Sequence, residues 1–106
     1  MGGNMQKTMM KQLQKMQADM ERVQLELGEA RVEGTSGGGA VRAVVDGHQN
    51  FIELHIDPAA VDADDIEMLQ DMVMAACNDA VRKSRQMAEA KMARVTSTVS
   101  VPGLKL

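Results

Sequence analysis

The chain has 106 residues, 44% of them hydrophobic and 25% charged, with a net charge of −3 and a pI near 5.3. That length suits a single domain over residues 1–106, and the acidic balance of the whole argues against a nucleic-acid partner, since binding domains often have a pI above about 9. One cysteine, Cys77, excludes an intrachain disulfide; no apolar run nears the roughly 20 residues of a membrane span, and residues 1–17 lack a signal-peptide core, so a reducing cytoplasm is expected.

Residues 5–28 carry apolar side chains at Met5, Met9, Leu13, Met16, Met20, Val23 and Leu27. Steps of three and four predict one long amphipathic helix, with Gly28 as its stop. Residues 30–57 predict a three-stranded antiparallel sheet. Ala30 to Thr35 is its weakest strand, and residues 34–39, with four glycines, read as a turn or flexible loop. Ala40 to Val45 places Val41, Ala43 and Val45 on one face. Asp46-Gly47 starts a turn. Asn50 to Asp57 then alternates, with Ile52, Leu54 and Ile56 opposite Phe51, Glu53 and His55, and ends at Pro58.

A second helix is expected over residues 64–95, opened by Asp64 and Glu67 as an acidic capping box. Its stripe runs Ile66, Leu69, Val73, Cys77, Ala80, Ser84, Ala88, Met92 and Val95. Residues 96–106 contain Pro102 and Gly103 and read as a mobile tail. The fold class is therefore α+β, in the order long helix, sheet, long helix. Helices of these lengths extend about 36 and 46 Å, whereas a compact domain of this size is only about 35 Å across. A small sheet cannot cover them, so a homodimer with projecting helices is the simplest solution. The core is expected to be adaptable, because Met occurs 11 times and Phe51 is the only aromatic residue.

Charge is unevenly distributed. Residues 1–18 hold Lys7, Lys11 and Lys15 and no acid, while residues 62–79 hold Asp62, Asp64, Asp65, Glu67, Asp71 and Asp79 and no base. Residues 80–106 hold Arg82, Lys83, Arg85, Lys91, Arg94 and Lys105 against Glu89 alone. Antiparallel helices would bring the two basic segments to one end, clear of the acidic body. Clustered cations of that kind bind phosphates by releasing counterions. A lysine row on a helix is also an ordinary solvated face, and cations near a helix C-terminus have a dipole explanation. That explanation does not reach Lys7, Lys11 and Lys15, which sit where the dipole opposes them.

Other constellations carry little chemistry. The glycine-rich stretch lacks a P-loop ending, His48 and His55 have no partners at metal-ligand spacing, and Ser36, His55 and Asp57 share only residue types with a triad. No catalytic residue, metal, cofactor or small-molecule substrate is expected. Neither a helix-turn-helix pattern nor an aromatic-interleaved basic surface is present, so any DNA binding should grip backbone and shape.

Several motifs in order resemble the YbaB/EbfC nucleoid-associated proteins. They are Met10-Lys11-Gln12, Lys15-Met16-Gln17, the run Gly34-Thr35-Ser36-Gly37-Gly38-Gly39, Ile56-Asp57-Pro58, the stretch from Asp64 to Asp71, Ala75-Ala76-Cys77-Asn78-Asp79-Ala80, and Pro102-Gly103-Leu104-Lys105-Leu106. The resemblance implies a tweezer-like bacterial homodimer that binds double-stranded DNA through helical arms, without enzymatic activity, organising the nucleoid and influencing gene expression. Carried over by position, the DNA-binding residues would be Lys7, Lys11 and Lys15 on the first helix and Arg82, Lys83, Arg85, Lys91 and Arg94 on the last. Cys77 departs from the pattern, standing where a larger residue is usual. The alternative kept open is a dimeric protein-interaction adaptor that grasps its partner with Met-rich arms, its charges serving solubility.

Overall fold

The computed structural model describes residues 2–97. Helix α1 spans Gly2–Glu29, and strands β1 (Val32–Ser36), β2 (Val41–Val45) and β3 (Phe51–Ile56) form one antiparallel sheet in the order β1-β2-β3. Helix α2 spans Ile66–Ser97. The α+β order expected from periodicity is the order observed. The radius of gyration is 20.7 Å and the longest extent 77 Å, far from the ~13 Å radius of a compact domain of this size.

Helix α1 forms because residues 4–27 contain no Gly or Pro and are dominated by Met, Gln, Lys, Glu and Leu, all strong helix formers. Arg22 adds ion pairs to Asp19 at 3.2 Å and Glu26 at 3.5 Å, one turn away on either side. The helix stops one residue beyond Gly28. Its orphaned terminal carbonyls are then satisfied from outside: Arg31 donates to Gly28 O at 3.2 Å, and the Gly47 amide donates to Leu27 O at 2.7 Å.

Helix α2 lies across β1 and β2. Val41, Ala43 and Val45 of β2 are fully buried against Ala76 and Ala80, with Val32, Leu69, Met72, Val73, Cys77 and Val81 packed around them. Gly34 allows this closeness. It belongs to β1, paired with Ala43, and not to a loop. A Cβ at Gly34 would strike the backbone of Ala76 and Ala80. The tight connection to β2 is made by Gly37–Gly39, all with positive φ.

Asp65, rather than Asp64, caps α2: its carboxylate accepts from the Met68 amide at 3.2 Å, while Asp62 turns the preceding chain by accepting from the Asp64 amide at 2.9 Å. The cap expected at Asp64 is thus displaced by one residue, and with Met68 three positions after Asp65 the reciprocal half of a capping box is not made. At the other end α2 continues through Ser97, so Thr96 and Ser97 are helical. The rest of the expected tail lies outside the described residues.

A second core joins the helices. Val23 and Leu27 of α1 are buried with Val95 of α2, and Met16, Met87, Ala88 and Met92 pack around them. Lys91 reaches Glu26 at 3.3 Å, and Val95 meets Val23 farther back along α1, so the two helices run antiparallel. The turn between β2 and β3 locks the junction. Ser84, fully buried, donates to Asp46 O at 2.6 Å and accepts from Gln49 Nε2 at 3.0 Å, while His48 Nε2 lies 3.1 Å from Gln24 O.

Candidate nucleic-acid interface

The antiparallel pairing brings the first part of α1 and the last part of α2 to the same end of the molecule, but with an offset. α1 packs on α2 through residues 16–27. Its first fourteen or so residues extend past that contact, by about 20 Å at 1.5 Å per residue. Along this extension the apolar stripe is uncovered: Met5 is 72% exposed, Met9 57% and Leu13 58%.

Lys7, Lys11 and Lys15 lie on the extension and are all exposed. At about 100° per residue they fall on one row, opposite the stripe of Met5, Met9, Leu13 and Met16. The lysines therefore face away from α2. No carboxylate precedes Asp19 in the chain, and Asp19 is engaged by Arg22. Among the described residues none of the three lysines makes an ion pair. The first turn of α1 also contains no acid, so its unpaired amides and dipole add to the same positive field.

The cations of α2 have different surroundings. Arg82 and Lys83 both reach the Asp79 carboxylate, at 2.6 and 3.1 Å, beside strand β1. Lys91 is paired with Glu26. Arg94 borders the groove between the helices together with Asp19, Arg22 and Glu26. Arg85 is exposed and lines a shallow outer concavity with Asp79 and Glu89. Arg85 and Arg94 make no ion pair among the described residues. Counting residues along each helix from the Val23–Val95 contact, Lys11 and Arg82 are separated by about 35 Å along the arm. The eight cations are therefore not one patch. Three form an unshared row on the extension of α1, and five are distributed along α2, three of them ion-paired. Sequence spacing revealed the lysine row. It could not reveal the partners of the α2 cations, because Asp79 and Glu26 acquire that role only through packing.

The pKa of Glu53 on the sheet is lowered by its hydrogen bond with His55, and two carboxylates at the packed junctions are also tuned by their contacts. Asp79 is held below the usual carboxylate range, first by the Lys83 ammonium and then by the Thr35 amide, which donates to it at 3.2 Å. Asp46 is likewise lowered, chiefly by the Asn50 amide donating at 3.0 Å. Both remain anionic at neutral pH, and both serve the body of the protein. Among the described residues no group of three His, Cys, Asp or Glu side chains is placed to hold a metal ion, and no helix is long and apolar enough to cross a membrane.

A small sheet backed by one helix, with a second helix extended beyond it as a basic arm, is the α+β frame that displays these cations. Residues 1–99 match the model of the YbaB/EbfC DNA-binding family, and the chain belongs to that family. It is 52% identical over 104 residues to a nucleoid-associated protein of Pelotomaculum thermopropionicum, covering 98% of each chain. Over 104 residues it is 53% identical to a nucleoid-associated protein of Desulforamulus reducens, again covering 98% of each. The fold is shared with the crystal structure of an uncharacterized protein from Helicobacter pylori, at a TM-score of 0.70 and 21% identity, covering 79% of this chain and 88% of that one.

Proposed function

We propose that this chain is a nucleoid-associated protein that works as a homodimer and binds double-stranded DNA through its helical arms, with low sequence specificity. In the bacterial cytoplasm it would organise the nucleoid and thereby influence gene expression. It acts by binding and not by catalysis, without cofactor or small-molecule substrate. The observation that carries this reading is the row of Lys7, Lys11 and Lys15 on an extended helix, exposed and shared with no carboxylate among the described residues. Phosphate contact needs cations in that state, and a regular helix presenting them as a row grips backbone rather than reading bases. Arg85 and Arg94 extend the basic surface where they are unpaired.

The dimer is supported by the sheet. Among the described residues strand β3 has an unpaired edge, and Phe51, Ile52, Leu54 and Ile56 are all exposed. Leu54 and Ile56 pair across the sheet with the buried Ala43 and Val41, so they continue the core-facing side beyond the reach of α2. An exposed apolar edge is an aggregation hazard unless covered. A second copy, placed symmetrically on β3, covers it and gives the assembly two arms.

A mobility-shift titration over salt tests the reading. Affinity for duplex DNA should fall linearly on a log–log plot, with about 0.9 of slope for each phosphate neutralised. A wild-type protein that does not bind duplex at low salt, or binds independently of salt, contradicts it. A second reading, the protein-interaction adaptor, is favoured by one observation: Met5, Met9, Met10 and Leu13 are uncovered along the arm. Lysine-to-glutamate changes leave an adaptor's partner capture intact, while Met9→Asp with Leu13→Asp, both on the uncovered part of the stripe, abolishes it.

A further inference from the structure

We infer that Asp79 is a positioning residue that ties strand β1 to helix α2 and at the same time occupies Arg82 and Lys83, which removes both cations from the DNA-contacting set. Among the described residues strand β1 is an edge strand, with β2 on one side only. Its Thr35 amide points away from β2 and donates to Asp79 Oδ2 at 3.2 Å. A side-chain carboxylate thus occupies the place that a fourth strand would take, and blunts an edge that would otherwise be free to pair. The same carboxylate is gripped by Arg82 at Oδ1, 2.6 Å away, and by Lys83 at Oδ2, 3.1 Å away. Lys83 also approaches Glu33 O of β1 at 3.5 Å, so one cation spans the carboxylate and the strand. Asp79 is only partly exposed, unlike its two partners.

The consequence for DNA follows from local charge. A phosphate approaching Arg82 or Lys83 meets a carboxylate about 3 Å from each cation, on a group that cannot turn away without freeing the Thr35 amide. A cation already neutralised by a carboxylate displaces few of the counterions condensed on DNA, and their release is the source of non-specific affinity. Lys7, Lys11 and Lys15 have no such neighbour among the described residues. This inference rests on the DNA-binding reading for its second half only; the role of Asp79 at the strand edge stands apart from it.

The test uses the intact protein and two readouts. In a salt titration of duplex binding, Arg82→Gln with Lys83→Gln should leave the slope within about 0.5 of wild type, while Lys7→Gln, Lys11→Gln and Lys15→Gln together reduce it by about 2.7 per engaged arm. In hydrogen exchange, the Thr35 amide should exchange at least about tenfold faster in Asp79→Ala. It should stay protected in Asp79→Asn, which keeps an oxygen acceptor. A slope reduced by about 1.8 in the Arg82 and Lys83 double variant, or an unchanged Thr35 exchange rate in Asp79→Ala, overturns the inference. If neither set of cation variants alters the slope, the DNA-binding reading fails, while Thr35 exchange still decides the role of Asp79.

Discussion

Ser84 on helix α2 donates to the backbone carbonyl of Asp46 at 2.6 Å, and this buried contact ties α2 to the turn that also receives the end of α1. The neighbouring Gly47 amide bonds Leu27 O at 2.7 Å. One five-residue turn therefore fixes both helices to the sheet, and so aims the arm. Replacing Ser84 with Ala removes two buried hydrogen bonds and leaves the Asp46 carbonyl only the Gln49 N–H at 3.3 Å and the Gln49 side-chain amide only Gly47 O at 2.9 Å. A cost of about 1–3 kcal/mol is expected, read as a fall in melting temperature of several degrees.

Gly34→Ala should be far worse than a surface change. The added methyl meets the backbone of Ala76 and Ala80, and helix backbone cannot yield as a flexible side chain does. Prising α2 from β1 should cost about 3 kcal/mol or more, at or above the upper end of overpacking effects. Urea denaturation measures it. A cost under about 1 kcal/mol would mean that α2 can slide over β1.

Acid should loosen the strand edge. The folded-state pKa of Asp79 is depressed, so its contribution is fully present above the ordinary aspartate value of about 3.9 and is lost as pH falls through the lower folded value. Asp46 acts in the same direction. Wild-type stability should decline as pH drops below about 4, and Asp79→Asn should be less stable at neutral pH but flatter across that window. A variant as steep as wild type would assign the acid sensitivity elsewhere.

The dimer surface is addressed by Leu54→Asp with Ile56→Asp. Both side chains are exposed in the single chain, so burial within one subunit gives no reason for a large loss of fold. Light scattering should report a dimer for wild type and a monomer for the double variant, with secondary structure retained by circular dichroism. Identical masses would place the contact off β3.

Much of this architecture is legible in the residues, because helix and strand periodicity are local. Val41, Ala43 and Val45 share a buried face as alternation requires, and Val23 and Leu27 continue the stripe from Met16. Features created by packing were less accessible. Gly34 falls where the weakest strand candidate overlaps the glycine-rich turn, and it proves to be a strand residue chosen for its missing side chain. Spacing to Glu67 points to Asp64 as the cap, but the geometry of one turn selects Asp65. The basic ends of the chain were expected at a common extremity. The helices do run antiparallel, but the anchoring turn at Asp46–Asn50 offsets them, so α1 passes beyond the packed contact and Arg82 and Lys83 remain beside the sheet.

The most direct measurement compares wild type with Lys7→Glu, Lys11→Glu and Lys15→Glu combined, recording duplex affinity across salt and the melting temperature of each protein. These are exposed positions without partners among the described residues, so the melting temperature should hardly change, while affinity and its salt dependence should largely disappear. Undiminished, salt-sensitive binding by a stably folded triple variant would contradict the assignment of the arm as the DNA-gripping element.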